Sequence, residues 1–188
     1  MHEEVGEVLI PAHRIADRVR ELGCTLAGTY AGREPVVVAV MKGCVLFLAD
    51  LVRAWGEASR PRVAAMDLEF VSAQSYEGTR PRRAGVRVTL PDGLEARLAD
   101  RPVLVLDDIF DTGRTLAAVC RRIEPLGAAE LKTLVLLAKR RAAPREPPIR
   151  RPDWVGFEIE DRFVIGYGLD YCGRWRNLPY VAALRRKP

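Results

Sequence analysis

Residues 103–116 read VLVLDDIFDTGRTL. An apolar run of strand length ends in two adjacent carboxylates, Asp107 and Asp108. A third acid, Asp111, opens Asp111-Thr112-Gly113-Arg114-Thr115, and a second apolar run follows. Paired carboxylates at a strand end suit the hydroxyls of a sugar or a divalent cation with oxygen ligands. The following loop offers two hydroxyls, a glycine that admits close backbone approach, and the unpaired amides of a helix start near Gly113–Thr115. The positive end of the helix dipole makes such a loop a phosphate cradle. Together the two halves fit a sugar phosphate. The purely structural alternative is that Asp111 or Thr112 caps the helix. Neither G-x-x-x-x-G-K-[ST] nor G-x-G-x-x-G occurs in the chain.

Two lysines stand out, because only four of the 30 basic residues are lysine. Lys42-Gly43 follows the apolar run 36–41, and Lys139 follows the strand-like run 131–138. Both fall where a parallel strand would finish.

These groups need a scaffold. Ile15, Val19, Leu22 and Leu26 recur at helical spacing, so 11–29 is expected to be an amphipathic helix. Further helices are expected at 44–55 and 114–126. Strand-like runs are 36–41, 63–73, 103–106, 131–138, 155–159 and 163–169, with 86–90 as a short hairpin-like excursion. Residues 74–85 are polar, basic and punctuated by Gly and Pro, which predicts a long exposed loop. Strands that are continuously apolar and alternate with helices argue for a mostly parallel α/β sheet. Such sheets bind ligands outside the carboxyl ends of their strands, which is where 41–43, 107–115 and 138–139 fall.

Composition sets the limits. A chain of 188 residues with 48% hydrophobic content supports one sizeable core. The net charge of +5 is spread widely, which favours anionic ligands over a dedicated nucleic-acid surface. Cys24, Cys44, Cys120 and Cys172 are scattered without a C-x-x-C pair, so neither a zinc site nor a redox motif is indicated. Two histidines cannot make a His-rich metal site. No apolar run approaches the roughly 20 residues of a membrane helix, and the N-terminus has no signal-peptide pattern. The expectation is a soluble cytoplasmic protein.

The stretch VLVLDDIFDTGRTL resembles the phosphoribosyl pyrophosphate motif of type I phosphoribosyltransferases. The tail, DWVGFEIEDRFVIGYGLDYCGRWRNLPYVAAL (153–184), resembles the C-terminal segment of the hypoxanthine-guanine members. AVMKGCVLFLADL (39–51), EFVSAQSYEGT (69–79) and VLLAKR (135–140) match in order and approximate spacing. The resemblance covers nearly all of the chain from about residue 36.

It implies the type I fold over residues 1–188 as one domain: a mostly parallel sheet flanked by helices, a small hood from the N- and C-terminal segments, and a flexible lid loop at about 74–92 carrying Ser75 and Tyr76. It implies magnesium-dependent transfer of phosphoribosyl to a 6-oxopurine, with inosinate or guanylate and pyrophosphate as products. Residue by residue, it implies that Asp111 is the general base and that 111–115 hold the 5′-phosphate. Asp107 and Asp108 lie near the ribose and the metal, with Asp107 one methylene shorter than the glutamate frequent in the family. Lys42, Gly43 and Arg176 meet the pyrophosphate, and the peptide before Lys42 is a candidate cis bond. Lys139, Phe163, Val164 and Asp170 hold the purine, with Asp170 also near magnesium. An ammonium at Lys139 would donate to a 6-oxo group and disfavour adenine, whose amino group is itself a donor. The resemblance further implies a homodimer or homotetramer, small-molecule substrates only, and no membrane or nucleic-acid partner. The alternatives are a xanthine-preferring transferase and a non-catalytic regulator that senses phosphoribosyl pyrophosphate.

Overall fold

A computed structural model describes residues 4–61, 65–75, 85–140 and 151–185. Six strands form the main sheet: β2 (Val36–Met41), β3 (Asp67–Ser75), β4 (Val86–Thr89), β5 (Pro102–Phe110), β6 (Glu130–Lys139) and β7 (Trp154–Ile159), in the order β4-β3-β2-β5-β6-β7. All neighbours are parallel except β3 and β4.

The continuous apolarity of β2 has a direct physical cause. Alternate side chains point to opposite faces of a strand. Val37 and Ala39 pack with α1 (Ala12–Thr29) and α2 (Val45–Ala58), against Ile15, Leu22, Phe47, Leu51 and Trp55. Val36, Val38 and Val40 pack on the other face, against Leu94 and Leu98 of α3 (Leu94–Leu98) and Leu116, Val119 and Ile123 of α4 (Arg114–Ile123). Both faces are covered, so both sets of positions must be apolar. Each large side chain buried this way contributes on the order of 1.5–3 kcal/mol.

A second sheet, of order β1-β9-β8, is built from β1 (Val5–Ile10), β8 (Val164–Ile165) and β9 (Val181–Leu184), all antiparallel. It is the expected hood, and it unites the two ends of the chain.

The elements depart from expectation in four places. β5 runs to Phe110 rather than stopping at Leu106, so Asp107 and Asp108 are strand residues. The run 163–169 is strand only at Val164–Ile165, because Gly166, Tyr167 and Gly168 all take positive φ and turn the chain back on itself. The helix expected over 114–126 stops at Ile123 and tightens into a 3-10 turn at Glu124–Leu126, where Pro125 has no amide to donate. β1 and α3 are additional elements. Of the expected lid at 74–92, Gln74 and Ser75 belong to β3 and Val86–Thr89 form β4, whereas 76–84, Tyr76 included, lie outside the described residues, as do 141–150. No helix among the described residues is long and apolar enough to cross a membrane.

Candidate active site

The chemistry gathers at the carboxyl ends of β2, β5, β6 and β7. Asp107 is 5% exposed. The Asp108 amide donates to its Oδ1 at 3.0 Å. Burial pushes the Asp107 carboxyl well above the usual carboxylate range, and the neighbouring charge of Asp108 adds to the rise. Asp108 is also pushed up by burial, but hydrogen bonding with Asp107 and the Arg176 guanidinium oppose that rise. The two adjacent carboxyls therefore form a doublet, Asp107 buried and Asp108 half-buried, that gains from a proton or a cation.

Gly43 makes room for it. A Cβ there would lie 1.5 Å from Asp108 Oδ2, so no larger residue fits while that carboxylate stays in place. The peptide Met41–Lys42 is cis. Across the cleft, Arg176 pairs with Asp170 at 2.7 Å and donates to the carbonyl of Gly168 at 2.6 Å. Asp170 also accepts the Gly173 amide at 2.7 Å. The hood turn is moored to α2, because the Tyr167 hydroxyl donates to Asp50 at 2.6 Å. Burial and that carboxylate raise the Tyr167 pKa, which keeps the phenol a donor.

The loop after β5 leads into α4 through Gly113 (φ +75°), which occupies the N-cap position. The capping alternative for Asp111 therefore does not describe this helix start. The Arg114 amide reaches Thr112 Oγ1 only at 3.4 Å. No acid lies in the first turn of α4 to offset its positive end. An anion is the natural complement of that end. Asp111 instead faces Lys139 at 3.3 Å. The Lys139 side chain is only 10% exposed, and its ammonium also lies 3.2 Å from Asp161.

One cleft of about 340 Å³ is lined by Lys42, Gly43, Asp107, Asp108, Asp111, Thr112, Gly113, Thr115, Asp170 and Arg176. Of the groups singled out for the sugar-phosphate side, only Arg114 is absent from this lining; it is exposed at the first position of α4. Lys139 joins the cleft through Asp111. Phe163 lies in the hood, 43% exposed, edge-to-face with Tyr171 at 5.6 Å. Its carbonyl accepts the Leu184 amide at 2.9 Å, and the buried Val164 pairs with Ala183. Ser75 ends β3, paired with Val86. Sequence reasoning missed Met41, Ala73 and Phe110 in the lining, and it missed Asp161 and Tyr167 around it. Asp161 was detectable only by knowing that β7 ends beside β6.

A larger cavity, about 720 Å³, is lined by Tyr30, Arg33, Glu34, Ser59 and Arg60. It sits where α1 and α2 end, at the amino ends of the strands. It holds none of the groups that carry the chemistry above.

Among the described residues, no three His, Cys, Asp or Glu side chains form a metal cluster. Asp107, Asp108 and Asp170 thus share a cleft without making a protein-only cage. The donor set suits a hard cation bound through one or two carboxylates, with phosphate oxygens and water completing its shell.

The chain matches the phosphoribosyl transferase domain model over residues 8–172. It is 32% identical to the hypoxanthine-guanine phosphoribosyltransferase of Bacillus subtilis (strain 168), covering 98% of this chain and 96% of that one. It is 37% identical to the bifunctional protein TilS/HprT of Listeria monocytogenes serotype 4b (strain F2365), again over 98% of this chain but spanning only 27% of that protein's length. Among solved structures, a hypoxanthine phosphoribosyltransferase from Staphylococcus aureus superposes with a TM-score of 0.82 at 29% identity, covering 98% of this chain and 94% of the other. A point mutant of the Trypanosoma cruzi enzyme, solved as a ternary substrates complex, superposes at 0.84 with 31% identity, covering 98% and 97%.

Proposed function

The chain belongs to the phosphoribosyltransferase family, and on that premise we propose that it is a purine-salvage enzyme, transferring phosphoribosyl from phosphoribosyl pyrophosphate to hypoxanthine or guanine. The observation that carries this reading is the pairing of Asp111 with Lys139 at 3.3 Å beside the Thr112–Thr115 cradle. A proton acceptor and a donor for a 6-oxo group stand together next to a phosphate site.

In the reaction, purine N9 attacks C1′ of the ribose, the C1′–O bond to pyrophosphate breaks, and the proton on N7 leaves. The 5′-phosphate binds the amides and hydroxyls of 111–115, which fixes the ribose. Asp107 and Asp108 face the ribose hydroxyls. Asp111 takes the N7 proton and its charge stabilises the cationic sugar. Lys139 donates to O6, Phe163 stacks on the purine, and the backbone at Val164 reads its edge. Lys42, Gly43 and Arg176 receive the departing pyrophosphate. Magnesium, held by Asp107, Asp108 and Asp170 together with substrate oxygens, would offset charge on that leaving group. The lid proposed around Ser75 and Tyr76 is the connection between β3 and β4, and its role is to exclude water from the activated sugar.

We assign the protein to the cytoplasm, consistent with four free cysteines. We further propose that it works as a homodimer or homotetramer. Leu68 and Phe70 are 40% and 47% exposed, and Val45 and Leu46 at the start of α2 are also exposed. Leu68 and Phe70 pair with Val37 and Ala39, which places them on the same face of the sheet as α2. That apolar strip suits a second copy of this chain.

The test offers hypoxanthine, guanine, xanthine and adenine separately, with magnesium and phosphoribosyl pyrophosphate, and follows nucleotide by absorbance and chromatography. Inosinate or guanylate is the expected product. No nucleotide from any base, despite saturable phosphoribosyl pyrophosphate binding, would refute the assignment in favour of a sensor of the same fold.

A further inference from the structure

We propose that Asp161 is a positioning residue, which holds the Lys139 ammonium on the purine side of the site and so sets the affinity for 6-oxopurines. The proposal rests on the reading of Lys139 given above.

The geometry starts from the sheet. Lys139 is the last residue of β6 and pairs with Ile159, the last residue of β7. On its other side, Phe110 ends β5 and pairs with Ala138. The residue after Phe110 is Asp111, and Asp161 comes two residues after Ile159. The central strand end therefore carries an ammonium, and each flanking strand end carries a carboxylate. The distances are 3.3 Å to Asp111 and 3.2 Å to Asp161, so neither acid has captured the ammonium alone.

That balance has a chemical consequence. A lysine ammonium has three N–H groups. Two carboxylates flank this ammonium, and with three donors it can still serve an acceptor such as a purine oxygen. With Asp111 as sole partner, the ammonium would be drawn toward the ribose side and would occupy the oxygen that must accept a proton. Asp161 supplies the opposing pull. When Asp111 takes the N7 proton, its attraction for Lys139 drops and that of Asp161 persists. The donor stays in place through the step.

The position of Asp161 is itself fixed. It sits in a tight turn in which the Arg162 amide donates to Glu160 at 2.8 Å. The Arg140 amide donates to Ile159 at 2.7 Å, and the Arg162 side chain donates to Glu7 of the hood at 2.8 Å. The Lys139 stem is nearly fully buried, whereas Asp161 is half exposed. Freezing a lysine stem costs rotamer freedom. A second partner at the tip selects the productive rotamer before substrate arrives.

The experiment compares wild type, Asp161→Asn, Asp161→Glu, Lys139→Ala and the Asp161→Asn/Lys139→Ala double variant in steady-state kinetics, varying each substrate separately. Wild-type turnover of a 6-oxopurine is the first readout, and its absence would refute the parent assignment and this proposal with it. Given turnover, Asp161→Asn should raise KM for the purine about tenfold, the loss expected for one charged contact. KM for phosphoribosyl pyrophosphate should stay within about twofold, and Asp161→Glu should restore most of the purine affinity. In the Lys139→Ala background, Asp161→Asn should add nothing to the purine KM. An unchanged purine KM, equal rises for both substrates, or a full additive effect on top of Lys139→Ala would each overturn the proposal.

Discussion

Asp107→Asn should make the substrate-free protein more stable at neutral pH while disabling it as a catalyst. Asp107 is 5% exposed, and burial followed by the Asp108 charge holds its carboxyl well above the usual range. An unfolded aspartate titrates near 4. Between that value and the raised folded value, the folded state binds more protons than the unfolded state. Stability must therefore fall as pH rises through the window, and each unit of separation costs about 1.4 kcal/mol once pH is above both values. Asparagine keeps the shape and still offers an Oδ1 to the Asp108 amide, which donates to Asp107 Oδ1 at 3.0 Å. Only the charge is removed. A gain of about 1–2 kcal/mol is expected, in the range found when a strained functional group is neutralised. For a chain of this size that is about 2–8 °C in Tm. The assay is thermal unfolding of both proteins from pH 5 to 8.5 without magnesium or phosphoribosyl pyrophosphate. The two curves should converge toward acid pH and separate as pH rises. Magnesium with phosphoribosyl pyrophosphate should stabilise wild type more than the variant. A variant less stable than wild type at pH 8, or a gap that does not change with pH, would refute the reasoning.

Asp111→Asn should lower kcat by about 10²–10⁴-fold, the usual worth of a general base, with phosphoribosyl pyrophosphate binding by calorimetry largely retained; unchanged turnover would remove Asp111 from that role. Lys139→Ala should raise KM for hypoxanthine more than for phosphoribosyl pyrophosphate and narrow the preference over adenine, and equal losses would mark Lys139 as structural. Gly43→Ala should nearly abolish turnover, because its Cβ would fall 1.5 Å from Asp108 Oδ2 and must displace that carboxylate; kinetics within about twofold of wild type would show that the carboxylate can move freely. Asp replacing Leu68 and Phe70 together should shift the oligomer toward monomer in sedimentation, since two buried charges would face apolar surface.

The parallel sheet was legible because burial on both faces leaves a mark in one dimension. Val36–Met41 is apolar without interruption, and β6 is so from Leu134 to Ala138, for the reason that both faces are covered there. The extent of β5 was not legible. Asp107 and Asp108 read as loop residues because charge is unfavourable in a buried strand unless something compensates it. They remain in β5 through Phe110. Local propensity loses there to backbone pairing with Val135 and Leu137. The hood was half legible. β1 and β9 are short and pair with each other across nearly the full chain length, and no local pattern encodes such a partner. Lys139 could be singled out by composition, but the two acids beside it could not, since their proximity is set by the order of strands.

That order explains why one sheet can serve a three-part reaction. Neighbouring strands run β2, β5, β6, β7. Their carboxyl ends present Lys42-Gly43, then Asp107 through Thr115, then Lys139, then Asp161. On the reading proposed above, these meet the pyrophosphate, the ribose phosphate, the purine oxygen and the lysine's second anchor. The substrate's own layout, leaving group to sugar to base, is thus copied across the sheet at the roughly 4.8 Å spacing of adjacent strands. A rigid parallel sheet fixes those separations more tightly than independent loops could, and each misplacement of about 1 Å at the reacting centre is costly. The acids could not sit one strand further over without losing Lys139. Nor could Lys139 sit in β7 without losing the two-sided hold that keeps its ammonium between Asp111 and Asp161.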